Sequence, residues 1–113
     1  MPSTFISPLH YDLEWVMRPG YVYVMRLPDG LYKIGQTLDL NRRLMQQKRK
    51  YGAATEIVFS ALVSGRLSVE YAIKSQFEPK RRGLPEIFSL DDADIKMIRE
   101  AFAALDFYKV DQQ

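Results

Sequence analysis

Two runs rich in tyrosine and β-branched residues, YVYVMRL from Tyr21 and LYKIGQ from Leu31, stand either side of Pro28-Asp29-Gly30. No other stretch restricts the fold as much. Aromatic and β-branched residues favour strands. Proline presets one backbone dihedral, aspartate bonds locally and glycine accepts positive φ, so the three together make a turn. The segment predicts an antiparallel hairpin. Tyr21 and Tyr23 are two apart and share one face of their strand, while Tyr32 lies out of phase with Gly35 and points to the other.

The rest of the chain follows from this start. TLDLNRRLMQQKRK predicts a helix capped by Thr37 or Asp39, with Leu40, Leu44 and Gln47 on one face and Gly52 as a left-handed C-terminal cap. TEIVFSALVSG reads as a strand, and Arg66 to Phe77 as a second helix with Leu67, Ala72 or Ile73, and Phe77 inward. EIFSL is a short strand or extended piece. DDADIKMIREAFAALDFY is the clearest helix, capped by Asp91 or Asp92 with Ile95, Ile98, Phe102 and Leu105 as its stripe. The order β-β-α-β-α-(β)-α predicts a small α+β fold, a three-stranded antiparallel sheet flanked by helices. Residues 1 to 19 read as an irregular arm with a helical turn near Asp12 to Met17, and residues 20 to 110 as one domain; a length of 113 residues suits that division.

Composition excludes more than it assigns. There is no cysteine, so disulfides and thiolate metal sites are ruled out, which fits an intracellular protein. The single histidine, His10, rules out a multi-histidine zinc site within one chain. The start has no basic region followed by a long apolar run, and no stretch approaches the ~20 apolar residues of a membrane span. Net charge is +2, but its distribution is uneven, with KRK at Lys48-Arg49-Lys50 and KRR at Lys80-Arg81-Arg82. Each triplet is either a solvated helix end or a phosphate-binding surface. Taken singly, the strand tyrosines are packing residues and Lys33 is an outward lysine. Of Arg42 and Arg43, one is an i,i+3 or i,i+4 partner of Asp39, and Glu70 answers a helix dipole.

The ordered set resembles the GIY-YIG endonuclease superfamily. Val22-Tyr23 looks like the first motif and Lys33-Ile34-Gly35 like the second. Arg43 stands eight residues past Gly35 and precedes Leu44, Glu70 opens a glutamate-bearing helix, and Glu86-Ile87-Phe88 looks like the closing motif. The YKIG spelling belongs to a phage- and bacteria-rich branch. Four features depart: Gly20 stands one residue out of register before Val22-Tyr23, Lys33 holds the place of the second tyrosine, Lys74 stands where that branch often has histidine, and an asparagine that some members use near the end has no clear counterpart. The resemblance implies a DNA endonuclease with one Mg2+ or Mn2+ on Glu70. Tyr23 would orient or deprotonate water and Arg43 would stabilise the charged phosphorus, with Tyr21, Tyr32, Lys33 and Lys74 around them. Lys33 is the candidate cation for lowering the phenol pKa of Tyr23. Arg42, Lys48, Arg49, Lys50, Lys80, Arg81 and Arg82 would meet DNA phosphates. The alternative is a nuclease-like domain that binds nucleic acid without cutting it; a third is an unrelated α+β interaction domain.

Overall fold

The structure, a computed structural model, describes residues 18–83 and 86–104. The expected helical turn near Asp12, the Leu105 position and the helix beyond residue 104 lie outside them.

The hairpin forms as its residues dictate. Strand β1 (Gly20–Arg26) pairs antiparallel with β2 (Tyr32–Thr37). The Gly30 amide donates to the Leu27 carbonyl at 2.9 Å, Gly30 sits at φ 89°, and the Asp29 carboxylate accepts from the Leu31 amide at 2.9 Å. Strand β3 (Glu56–Val63) adds to the free edge of β1, and the two-residue β4 (Ile87–Phe88) to that of β2. The extended piece is therefore a real strand, and the antiparallel sheet is four-stranded in the order β3-β1-β2-β4. Its register slips by one residue between Val24 and Met25, a bulge in β3. The Val58 carbonyl there accepts from Arg99.

Alternation along the strands divides the sheet into two faces. Val22, Val24, Tyr32, Ile34 and Phe88 join Val63, Phe77, Leu90, Ile95, Ile98 and Phe102 in one core. Burying each such side chain is worth about 1.5–3 kcal/mol. Tyr23, Met25, Lys33 and Gly35 point to the opposite face, in the pairs Tyr23–Gly35 and Met25–Lys33.

Helix α1 (Leu40–Tyr51) starts at Asp39, whose side chain accepts from the Arg42 amide at 3.0 Å. Thr37 supports the cap by accepting from the Asp39 amide at 3.1 Å. Leu40 and Leu44 are only half-buried, and Gln47 is the buried residue of the helix. Gly52 closes it at φ 128°, ψ 156°, a positive-φ cap that is extended rather than left-handed helical. Helix α2 (Arg66–Gln76) packs Val69 and Ile73 on the core and ends at buried Phe77. Helix α3 (Asp92–Ala104) is capped reciprocally: the Asp94 amide donates to the Asp91 carboxylate at 2.9 Å, and the Asp91 amide to that of Asp94 at 3.0 Å. This is the logic of a capping box with aspartate at the third position. Among the described residues no helix is long and apolar enough to cross a membrane.

Candidate functional site

The hairpin face opposite the core gathers most of the candidate site residues. Tyr23 is fully buried, and its ring lies against the backbone of Gly35, directly across the ladder. A Cβ on Gly35 would fall 2.4 Å from the Tyr23 hydroxyl and 2.6 Å from Cζ. Only glycine leaves room, so the final letter of KIG is set by the tyrosine opposite.

Arg43, one turn into α1, reaches the hydroxyl. Its Nη1 donates to Tyr23 Oη at 3.2 Å and to the Gln36 carbonyl at 3.4 Å, and its Nε donates to Gln46 Oε1 at 3.2 Å. Burial pushes the Tyr23 phenol above its ordinary value. The hydrogen bond and charge of Arg43 pull the other way, and the carboxylates of Glu86 and Glu70 push up again. The net direction is upward, so Tyr23 is a neutral phenol at neutral pH. Arginine can only donate, so it occupies a lone pair of the phenol oxygen and leaves the O–H proton for another acceptor.

Lys33 does not serve the role expected of it. Its buried ammonium pairs with Glu86, not with Tyr23. The cation that acts on the phenol is Arg43, and burial outweighs it. A chain of alternating charges continues from Glu86. Lys74 lies 3.5 Å from Glu86 Oε2 and 3.0 Å from Glu70 Oε2. Burial pushes the Glu86 carboxyl up, but hydrogen bonding to Lys33 and the charges of Lys33 and Lys74 hold it below the usual glutamate range. Sequence reasoning treated Glu86 as a closing motif only. Its pairing spans 53 positions, which no local pattern reveals. Gln46 was missed as well; its place three residues after Arg43 on one helix was the available signal.

The other site residues divide. Tyr21 is half-buried on Tyr23's face, opposite Thr37 and Leu62. Tyr32 stands apart from the cluster. Its ring is in the core and its hydroxyl accepts from Arg26 Nε at 3.4 Å. Every charged residue of α1 is basic, and among the described residues none of Arg42, Arg43, Lys48, Arg49 and Lys50 pairs with a carboxylate. The second triplet departs from its expected role. Lys80 pairs with Asp94 at 2.6 Å, and Arg81 pairs with Glu78 and lies 5.9 Å over the Phe88 ring. Only Arg82 is exposed.

Glu70 is a hard oxygen donor, and among the described residues no group of three or more potential ligands gathers. Glu70 and Glu86 nevertheless converge on one cationic centre, the Lys74 ammonium. That donor set suits Mg2+, which takes one or two carboxylates and keeps several waters.

The profile of the T5orf172 domain matches residues 20–103. The chain belongs to the T5orf172 domain family. This is a family of nuclease-like, DNA-binding domains, which ties the chain to nucleic acid in that coarse sense. The match corrects the GIY-YIG resemblance, since no profile of that family matches the chain. The geometry gives the reason the motif misled: the second motif's tyrosine place holds Lys33, and the adjacent Tyr32 faces the core of the T5orf172 domain. No curated protein and no solved structure matches the chain.

Proposed function

We propose that this T5orf172 domain hydrolyses phosphodiester bonds of DNA at the Tyr23–Arg43–Glu70 cluster. The observation that carries the reading is the guanidinium of Arg43. It is fixed by three acceptors, yet among the described residues its Nη2 group has no partner. A fixed fork with a spare donor suits a phosphate oxygen that gains charge in the transition state. Tyr23 is fully buried, and its hydroxyl acts by holding the Arg43 guanidinium through the 3.2 Å hydrogen bond. Its raised pKa argues against a role as a base. In the reaction an oxygen–phosphorus bond forms from water, the ester bond breaks, and the leaving oxygen takes up a proton. Glu70, with Glu86 beside it, is the proposed seat of Mg2+ or Mn2+. Such an ion would acidify a water and draw charge from the phosphate when bound. Lys33 positions Glu86. The exposed cations of α1, which among the described residues pair with no carboxylate, supply sequence-independent phosphate contacts.

One observation favours a second reading, a domain that binds nucleic acid without cutting it: Glu70 is already paired with Lys74. A plasmid-nicking assay with Mg2+ or Mn2+, run beside a gel shift, separates the two. Arg43→Ala should lower nicking by about a hundredfold or more, with Glu70→Gln and Tyr23→Phe also impaired. Binding without nicking by the wild type selects the second reading.

A further inference from the structure

Lys74 stands between carboxylates contributed by two different parts of the fold, Glu70 in its own helix and Glu86 at the approach to β4. Its ammonium lies 3.0 Å from one and 3.5 Å from the other. Its side chain is 19% exposed and that of Glu70 16%. Lys96 and Glu100 make the instructive contrast. They too are four apart on a helix, but they lie 4.0 Å apart with side chains 76% and 67% exposed. Water screens that pair; the Lys74 pair is screened much less. With Lys33 on the other oxygen of Glu86, the network is neutral without help from outside.

We propose that Lys74 is a resident cation that competes with a divalent ion for Glu70 and Glu86. The inference rests on the metal-bearing reading of Glu70 above. An ammonium and a divalent ion at the same two carboxylates repel strongly at this range, so one has to withdraw before the other binds. Lysine can withdraw, because its charge rides on a flexible four-carbon stem. The free domain is therefore a weak binder of divalent ions, held so by one of its own side chains.

Titration calorimetry with Mn2+ alone, without nucleic acid, tests this. Lys74→Met should bind Mn2+ about tenfold more tightly than the wild type. Lys74→Arg, which keeps the cation, should bind like the wild type. Lys96→Met removes the same charge far from the carboxylates and should leave affinity unchanged. Glu70→Gln in the Lys74→Met background should abolish the gain, which locates the ion. Thermal melts check folding, and Lys74→Gln replaces the methionine variant if that one does not fold. Equal Mn2+ affinity for the wild type and Lys74→Met, or an equal gain in Lys96→Met, overturns the proposal. Nicking is measured separately: a domain that never cuts but shows the Lys74→Met gain loses the nuclease reading and keeps this one.

Discussion

The chain writes nearly the same three letters twice, Lys48-Arg49-Lys50 and Lys80-Arg81-Arg82, and the fold treats them differently. The first triplet ends a helix with no acid in it, and among the described residues none of its charges is paired with a carboxylate. In the second, Asp94 takes Lys80 and Glu78 takes Arg81. One run is a surface of available charge; the other pins the turn after α2 to the start of α3. The lesson is that a basic run is defined by the acids the tertiary structure brings to it. Glu78, three residues from Arg81, is visible in the sequence; Asp94, fourteen from Lys80, is not.

The largest expected effect separates the triplets by function. Reversing the first, Lys48→Glu with Arg49→Glu and Lys50→Glu, should weaken duplex DNA binding by about a hundredfold at low salt. It should also reduce the slope of log K on log salt by about 2 to 3, as loss of three phosphate contacts requires. Reversing the second should change the slope by no more than about 1, the share of Arg82. Fluorescence anisotropy across a salt series measures both. Equal slopes would break the comparison at its root.

Next comes stability, where the order inverts. Asp94→Ala removes half of the reciprocal α3 cap, the acceptor for the Asp91 amide, together with the partner of Lys80, and should cost about 2 kcal/mol in urea unfolding. Asp94→Asn can still accept from the Asp91 amide and should cost less. Burial pushes the Asp94 carboxyl up, but Lys80 and the Asp91 amide hold it below its ordinary 3.8. A depressed carboxylate contributes stability that is present above the unfolded value and lost as pH falls through the folded one. The wild type should therefore lose stability below pH 3.8, and Asp94→Asn should lack that part of the step.

These assignments show how much of the molecule could be read in advance. The hairpin was legible because Pro28, Asp29 and Gly30 act within one turn, and α3 because Asp91 and its apolar stripe follow helical spacing. A glycine at the end of a strand permits close approach, but nothing local to Gly35 says that the approaching group is the Tyr23 ring. Gln47, in place of Leu44, as the buried residue of α1 was not legible in rank, because burial there depends on what the hairpin presents. The state of Tyr23 went the wrong way for a similar reason: a neighbouring lysine suggested a lowered pKa, while the fold buried the phenol and gave the lysine to Glu86. A sequence order shared with another family led the eye to Tyr32 as well. A one-residue shift in a strand moves a side chain to the other face of the sheet.

A smaller effect probes how α1 presents its charges. Asp39→Ala removes the acceptor for the Arg42 amide at 3.0 Å and should cost about 1 kcal/mol of stability. It leaves Lys48, Arg49 and Lys50 at the far end of the helix. Salt-dependent binding should hold while nicking falls, because Arg43 lies in the loosened first turn. Parallel loss of both would mean that α1 acts as one rigid unit, and the comparison would then be between helices and not triplets.

The smallest effect falls on Arg82, the exposed member of the second triplet. Its Nη1 donates only to the neighbouring Arg81 carbonyl at 3.1 Å, a bond a phosphate oxygen can replace at little cost. Arg82→Ala should leave stability within about 0.5 kcal/mol of the wild type and lower the salt slope by about 0.9 or less. Arg49→Ala on α1 should match or exceed it in slope and be equally silent in unfolding. If Arg82→Ala proves the larger of the two, the path of the nucleic acid runs past the end of α2, and what divides the triplets is the pairing of Lys80 and Arg81 alone.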